Sequence, residues 1–457
     1  VTYRQLLARN ANFRHLWSGQ VVSEIGDWLN NIAILALTLE LAGPAHEGRA
    51  IAIYAIARHL PLFLFGPIAG VVVDRADRRR VMIVADVVRA FLAIGFLLAQ
   101  KFSSLPAIYA VGASLFAVSA FFNAAKRAVI PVIVREADEL LNANSLSAST
   151  TAATIAVGSA LGGLVATFIS RDLVFFLNAA TFLFSAMLIR RIRLPARSPL
   201  IEAADLSRGG AAPVARDASR EKARVSLDVR IATGLHRAFI EFQEGLRYVK
   251  RDVMLSAVFV VAAGWGLGNG AARALYSVFG ARFGELTAGT WAARPRDFGI
   301  SVLFVAMGAG GVLGAPLARR FNAAGEDLGA RMGRSMILDG CGLALFSLMP
   351  NLWTASLVLI AREVNFAIWW TAQQTIIMRR TDNAFAGRIF ASYETLTTLM
   401  MVGSMYGAGA AADAYGIRPV IAAGGLTIAF SGLLWFLLRR RHGGMPATAT
   451  NARHHST

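Results

Sequence analysis

Apolar runs long enough to cross a bilayer recur along almost the whole chain, and short arginine-rich turns separate many of them. About 20 apolar residues span a membrane as one helix, because in hydrocarbon each segment must satisfy its own backbone N–H and C=O groups. About twelve spans are expected on that criterion. They fall near 14–41, 50–73, 81–100, 105–125, 145–169, 172–190, 253–276, 298–318, 335–350, 353–378, 388–412 and 417–438. With 56% hydrophobic and 16% charged residues in 457, a soluble multidomain protein is excluded. The fold class expected is an all-α integral membrane protein.

A net charge of +18 in a soluble chain would point to nucleic acid. Here its placement points elsewhere. Arg4, Arg9 and Arg14 precede the first span, and Arg75, Arg78, Arg79 and Arg80 follow the second. Lys126 and Arg127 follow the fourth, Arg319 and Arg320 the eighth, Arg379 and Arg380 the tenth, and Arg439 to Arg441 the last. If the spans alternate, all lie on one side, and the positive-inside rule puts both termini in the cytoplasm. No nucleic-acid partner is expected. Lysine is confined to Lys101, Lys126, Lys222 and Lys250, which with the abundance of alanine suggests a GC-rich bacterial gene and the inner membrane. Cys341 is the only cysteine, so no intramolecular disulfide can form.

Residues 191–236 break the apolar pattern with mixed charge, Gly, Ala and Pro, and read as a cytoplasmic linker. The organisation expected is a six-helix lobe over 1–190, this linker, a second lobe over 237–441, and a disordered cytoplasmic tail over 442–457. The second lobe opens on an amphipathic helix with Phe239, Phe242, Leu246 and Val249 on one face, suited to the inner membrane surface. Six spans on each side of a linker suggest internal duplication.

Charges deep in a bilayer are costly, so they are functional or paired. Asp27 lies roughly 20 Å from the cytoplasmic end of the first span, and Arg58 about 22 Å from that end of the second. An ion pair between them is geometrically possible. Two readings stay open: proton coupling through a carboxylate whose environment alternates, or a permanent structural pair. Glu24, one turn nearer the cytoplasm, is a second proton-coupling candidate, and Asn30 and Asn31 beside these acids are candidates for the substrate cavity. In the tenth span Arg362, Glu363, Asn365, Phe366, Trp369 and Gln373 suit a cavity for a polar or amphipathic solute. Asp86 and Arg89, three apart, read as a structural pair.

Gly66-Pro-Ile-Ala-Gly70-Val-Val-Val-Asp74-Arg75-Ala-Asp77-Arg78-Arg79-Arg80 joins the second and third spans. The order Gly-x3-Asp-Arg-x2-Arg-Arg resembles the signature loop of the major facilitator superfamily. Gly310-Gly-Val-Leu-Gly314-Ala-Pro-Leu-Ala-Arg319-Arg320 echoes it in the second half, with Ala318 in place of the acid. Ser23-x2-Gly26-Asp27-Trp28, Arg58-x2-Pro61, Asp86-x2-Arg89, Ile130-Pro131, Asn142-Ala-Asn144-Ser-Leu146, Glu244-Gly-Leu-Arg247-Tyr248 and Gly387-Arg388 resemble the branch of proton-coupled macrolide and siderophore exporters.

The resemblance implies two pseudo-symmetric six-helix lobes that rock about a central cavity. Helices one, four, seven and ten would line that cavity, which adds Asn123, Trp265 and Asn269 to the candidates. Gly-x3-Gly pairs occur at Gly66/Gly70, Gly158/Gly162, Gly310/Gly314 and Gly403/Gly407, in the second and fifth span of each half. Those are the helices at which lobes meet in that superfamily, so the glycines, with Asp74, Arg75, Arg78 and Arg79, read as a gate. Asp74 is placed to meet the positive end of span eleven near Gly387 and Arg388. Gly158-Ser-Ala-Leu-Gly162-Gly163 matches an exporter motif except for Ser159 in place of proline, which favours export by antiport. No mid-span arginine occupies span four, so the proton relay is assigned to Asp27 and Arg58.

The function expected is secondary export of an amphipathic small molecule, drug, macrolide-like or siderophore-like, against proton entry. Its partners would be the lipid bilayer, the solute and protons, with the chain a monomer. Symport import, lipid flipping and a non-transporting receptor or scaffold are the alternatives. No Walker loop, metal cluster or nucleophile–base motif is found, so neither an enzyme nor a cofactor is expected.

Overall fold

A computed structural model of the chain describes residues 2–134, 137–194, 240, 242–323, 327–382 and 385–441. The described residues are helical, without strands. A short helix α1 (Tyr3–Arg9) precedes six long ones: α2 (Ala11–Ala42), α3 (Glu47–Val73), α4 (Arg78–Lys101), α5 (Leu105–Ile133), α6 (Ala137–Phe168) and α7 (Arg171–Arg190). Six more follow: α8 (Val253–Ala288), α9 (Pro295–Ala323), α10 (Leu328–Ser347), α11 (Leu352–Arg380), α12 (Ala386–Tyr415) and α13 (Ile417–Arg441). The expected tail, and the expected linker beyond residue 194, lie outside the described residues.

Ten of the long helices have the length and apolarity to cross a membrane. The other two, α10 and α12, are more polar and are held between neighbours of the same bundle: α10 against α11 and α13, α12 against α8 and α3. The helices overrun the apolar windows because their polar ends project beyond the hydrocarbon. The largest departure is α8, whose helix continues to Ala288 and absorbs most of the 277–297 segment that reads as an external loop.

The packing repeats between halves. Helix α2 packs on α6 and α7, as α8 packs on α12 and α13. Contacts of α3 with α5, α4 with α5 and α4 with α7 recur as α9 with α11, α10 with α11 and α10 with α13. The turns repeat too. Asp77 and Asp327 cap α4 and α10 at a shared φ of −61° with ψ of 109° and 105°, each accepting hydrogen bonds from first-turn N–H groups. Asp327 also pairs with Arg439 of the last helix. Burial acts to raise its carboxyl, but Arg439 and the capping N–H groups hold it below the ordinary carboxylate value.

Residues 242–251 form a further helical stretch. Val249 is buried, Leu246 packs on the core, Glu244 pairs with Arg388 at 3.1 Å, and Ser392 donates to the Phe242 carbonyl. The stretch is therefore docked on α12 and does not rest on a membrane surface alone. Phe239 lies outside the described residues.

The lobes meet chiefly where α6 crosses α9 and α3 crosses α12. At the end of the bundle remote from the termini the backbones touch. A Cβ on Gly48 would lie 2.4 Å from the Gly409 carbonyl oxygen, and nearer mid-helix one on Gly308 would lie 2.4 Å from the Ala156 backbone nitrogen. Ser301 crosses from α9 to donate to the Ser159 carbonyl at 2.7 Å. Only glycine permits so close an approach. Gly409→Val should therefore cost this arrangement about 1–3 kcal/mol by overpacking, a roughly 5- to 150-fold shift away from closure of the remote end. Spin labels on the loops 43–46 and 289–294 should report a longer distance in the variant, and an unchanged distance would contradict the close-contact reading.

Candidate functional site

Asp27, Asn30, Asn31 and Ile34 of α2 line a small pocket closed by Tyr54 and Arg58 of α3, Phe96 of α4, and Leu115 and Phe116 of α5. The expected pair of Asp27 with Arg58 is not formed. Arg58 instead donates to the Asn31 side chain. Its guanidinium lies 5.0 Å from the Trp28 ring centroid and 4.9 Å from that of Phe116, a desolvated cation–π arrangement. Asn31, one turn beyond Asp27, intercepts the arginine. Asp27 is half-buried in the pocket wall and makes no ion pair or hydrogen bond with any described residue.

Glu24 is differently housed. Gln20 donates to it at 2.8 Å, Thr151 and Thr154 of α6 each at 3.1 Å, and the Lys126 ammonium of α5 lies 3.7 Å away. The cation missing from the middle of span four is thus supplied by Lys126 near its end. Asn123 lies two turns beyond Phe116 on α5, half-buried and outside the pocket. Asp86 and Arg89 form a buried pair, with Arg89 4.2 Å and 4.4 Å from the Phe122 and Phe182 ring centroids, as a structural role requires.

The second lobe builds a saturated hub. Arg362 donates to the Tyr276 hydroxyl at 2.8 Å and to Asn269 at 3.0 Å. It also pairs with Glu363 at 3.0 Å and with Asp339 at 3.2 Å. Two acids against one arginine, all buried, leave it no capacity for a solute. Asn365 donates to the Ser335 carbonyl at 2.6 Å, and Gln373 accepts from the Tyr393 hydroxyl at 3.0 Å. Trp369 is fully buried. These three expected cavity residues therefore tie helices together. Trp265 stacks on Phe366 at 5.7 Å, and Trp370 lies 5.9 Å from Trp265. Of this aromatic cluster Phe366 and Trp370 keep a partly accessible face.

The gate differs from expectation in its contacts. Gly158 and Gly162 pack on Ile25, Trp28 and Leu29 of α2, and Gly310 and Gly314 on Ile360, Val364 and Ala367 of α11, all within one lobe. Gly66, Gly70, Gly403 and Gly407 face open space. Asp74 and Arg75 are exposed, and Asp74 forms no ion pair or hydrogen bond with the described residues at the start of α12, whose Arg388 engages Glu244. Arg78 and Arg79 donate to the carbonyls of Ala128 and Ile192 at 3.0 Å and 2.9 Å, which fastens one lobe internally. The remote end is shut, whereas at the end bearing the termini Gly66 and Gly70 face open space.

Ionic contacts that the sequence reading did not single out hold the remote end. Glu47 of α3, 4% exposed, meets Arg282 of α8 at 3.3 Å and Arg296 of α9 at 3.2 Å. Arg171 of α7 grips the buried Asp297 of α9 through two bonds of 3.0 Å and 2.7 Å, and also Glu40 at 2.6 Å. Asp413 of α12 accepts from the Gly48 N–H at 2.7 Å, and Arg294 donates to the Ala166 carbonyl at 3.1 Å. The charges at 277–297, without a role in the sequence, are one half of this interlobe clamp.

Two six-helix lobes, closed at one end and parted at the other, around polar and charged groups at mid-membrane depth define a helical membrane transporter. The chain belongs to the Major Facilitator Superfamily, whose family model matches residues 16–405. It is 28% identical over 404 residues to the "Putative bacilysin exporter BacE" of Bacillus subtilis, covering 86% of this chain and 87% of that one. It is 26% identical over 196 residues to "Macrolide efflux protein A" of Streptococcus pyogenes, covering 42% of this chain and 47% of that one. The crystal structure of the nucleoside transporter NupG shares the fold at a TM-score of 0.67 and 12% identity, over 94% of this chain and 100% of that one.

Removing one partner of a buried charge pair costs about 3–5 kcal/mol. Asp297→Asn should therefore weaken the clamp without touching the pocket, and labels on the loops 43–46 and 289–294 should separate. Arg362→Met should lower thermal stability by a similar amount, and adding Asp339→Asn and Glu363→Gln should restore most of it. A triple variant no more stable than Arg362→Met would refute the dependence of the two buried acids on Arg362.

Proposed function

We propose that the chain is a bacterial inner-membrane secondary transporter, both termini cytoplasmic, that exports an amphipathic small molecule by proton antiport with alternating access. The carrying observation is Asp27: a half-buried carboxylate with no ion-pair partner among the described residues, beside a cation bound to another group. Such a carboxylate can change protonation state without breaking a pair. In the parted state solvent reaches the lobes from the terminus-bearing end, where Arg75 and its neighbours satisfy the positive-inside rule. Switching would part the interlobe clamp and bring the Gly66/Gly70 face of α3 toward the second lobe.

Export draws support from the relatives, whose names record efflux of bacilysin and of macrolides. The solute is read as drug-like, macrolide-like or siderophore-like, since the lobes combine a polar pocket with an aromatic cluster. The chain is read as a functional monomer. Glu24 is the competing proton site: it too is a carboxylate on α2, but one already held by Lys126 and two threonines.

The test uses everted vesicles holding a respiration-driven pH gradient reported by a quenched dye. Cationic dyes, macrolides and siderophores are added to wild type, Asp27→Asn and Glu24→Gln. The expected outcome is dequenching by one class, lost at least tenfold in Asp27→Asn and retained in Glu24→Gln. Loss in Glu24→Gln alone moves the coupling to Glu24. Dequenching retained in both variants reduces Asp27 to structure. No response from any compound overturns antiport in favour of symport, lipid flipping or a non-transporting role.

A further inference from the structure

Arg273 is absent from the roles assigned so far. It lies in the middle of α8, flanked by the fully buried Ala272 and Ala274, yet its own side chain is exposed. It forms no ion pair or hydrogen bond with any described residue, and its helix packs on α3 across the lobe boundary, within electrostatic reach of Arg58 and His59. Depth agrees: Arg273 is nine residues inward from Arg282, and Arg58 eleven inward from Glu47, its partner in the clamp. At 1.5 Å per residue both stand roughly 14–17 Å below that level.

Two guanidinium groups thus stand at one depth on either side of the lobe boundary, and Asp27 is the acid that shares the pocket of Arg58. Arg58 is bound by an amide and two rings, none of them anionic. The contrast with Arg362, neutralised twice over, is sharp. Uncompensated cations at membrane depth are costly and are retained where they meet a ligand. Arginine is also the side chain best matched to a carboxylate, through its planar fork of donors.

We propose that Arg273 and Arg58, one from each lobe, bind a carboxylate of the transported solute, whose apolar body extends toward Trp265, Phe366 and Trp370. Trp265 lies eight residues from Arg273 on the same helix, about 12 Å along the axis. The solute is thus an amphipathic carboxylic acid with its acid and its aromatic or aliphatic part separated by about that length. This inference rests on the reading as a solute transporter, but neither on the direction of transport nor on the coupling ion.

The test measures equilibrium binding to the full chain in phosphatidylcholine nanodiscs, which offer no anionic lipid. The probes are N-dansyl-phenylalanine and its uncharged amide, read by energy transfer from tryptophan. Wild type should bind the acid at least tenfold more tightly than the amide. Arg273→Gln should abolish that preference, and Arg273→Lys should keep part of it. In wild type, Arg273 should react with phenylglyoxal and be protected by the acid only, a readout independent of how the variants fold. Equal binding of acid and amide, no binding of either, a preference that survives Arg273→Gln, or absence of protection would overturn the proposal. No gradient is present, so a failure here is distinct from a failure of proton-coupled export.

Discussion

A charge inside a bilayer must be neutralised by another charge, wetted by a cavity, or moved to an end of its helix. That constraint sorts the ionisable residues of this chain. Arg362 with Asp339 and Glu363, and Arg89 with Asp86, are paired and buried. Glu24 shares its charge with Lys126. Asp27, Arg58 and Arg273 are left facing space between or within the lobes, Glu394 is exposed two turns inside α12, and most of the other charges gather at the two ends. Helix packing follows from this sorting, because the buried hubs fasten neighbours within a lobe while the end charges fasten one lobe to the other.

The halves share a packing plan and divide its chemistry unequally. Capping by Asp77 and Asp327 and the sequence of helix contacts repeat closely. Arg273 apart, the second lobe spends its mid-depth charges on itself, and its aromatic residues stack on one another. The first lobe leaves a carboxylate unpaired. A carrier needs rigid bodies that rock and a few groups that respond to what enters. Here the second lobe supplies more of the rigidity and the first more of the response.

The span pattern, the signature turn and the duplication were legible because bilayer thickness forces them on the sequence. Depth counting also put Asp27 and Arg58 at one level. It could not find Asn31, which takes the arginine, since rotation about two helices is invisible in residue counts. Gly158, Gly162, Gly310 and Gly314 show the same limit: glycine spacing announces a close approach without naming the partner. The clamp was missed for another reason. Glu40, Glu47, Arg171 and Asp297 sit at span ends, where charge is ordinary, and only their assembly across 126 or more positions of chain gives it meaning. A sign was present in the charged 277–297 segment, on the side where loops are otherwise poor in charge.

The uncompensated cavity has an electrical consequence. With Asp27 ionised, Arg58 and Arg273 leave one excess positive charge in the space that changes sides during transport. Moving a full elementary charge through the membrane field is worth about 2.3 kcal/mol per 100 mV. The resting voltage would then hold the empty carrier with its cavity toward the negative side, and a bound carboxylate would cancel that bias. Cargo would act as a counter-ion as well as a passenger, and the loaded carrier would turn with little regard for the voltage that pins the empty one.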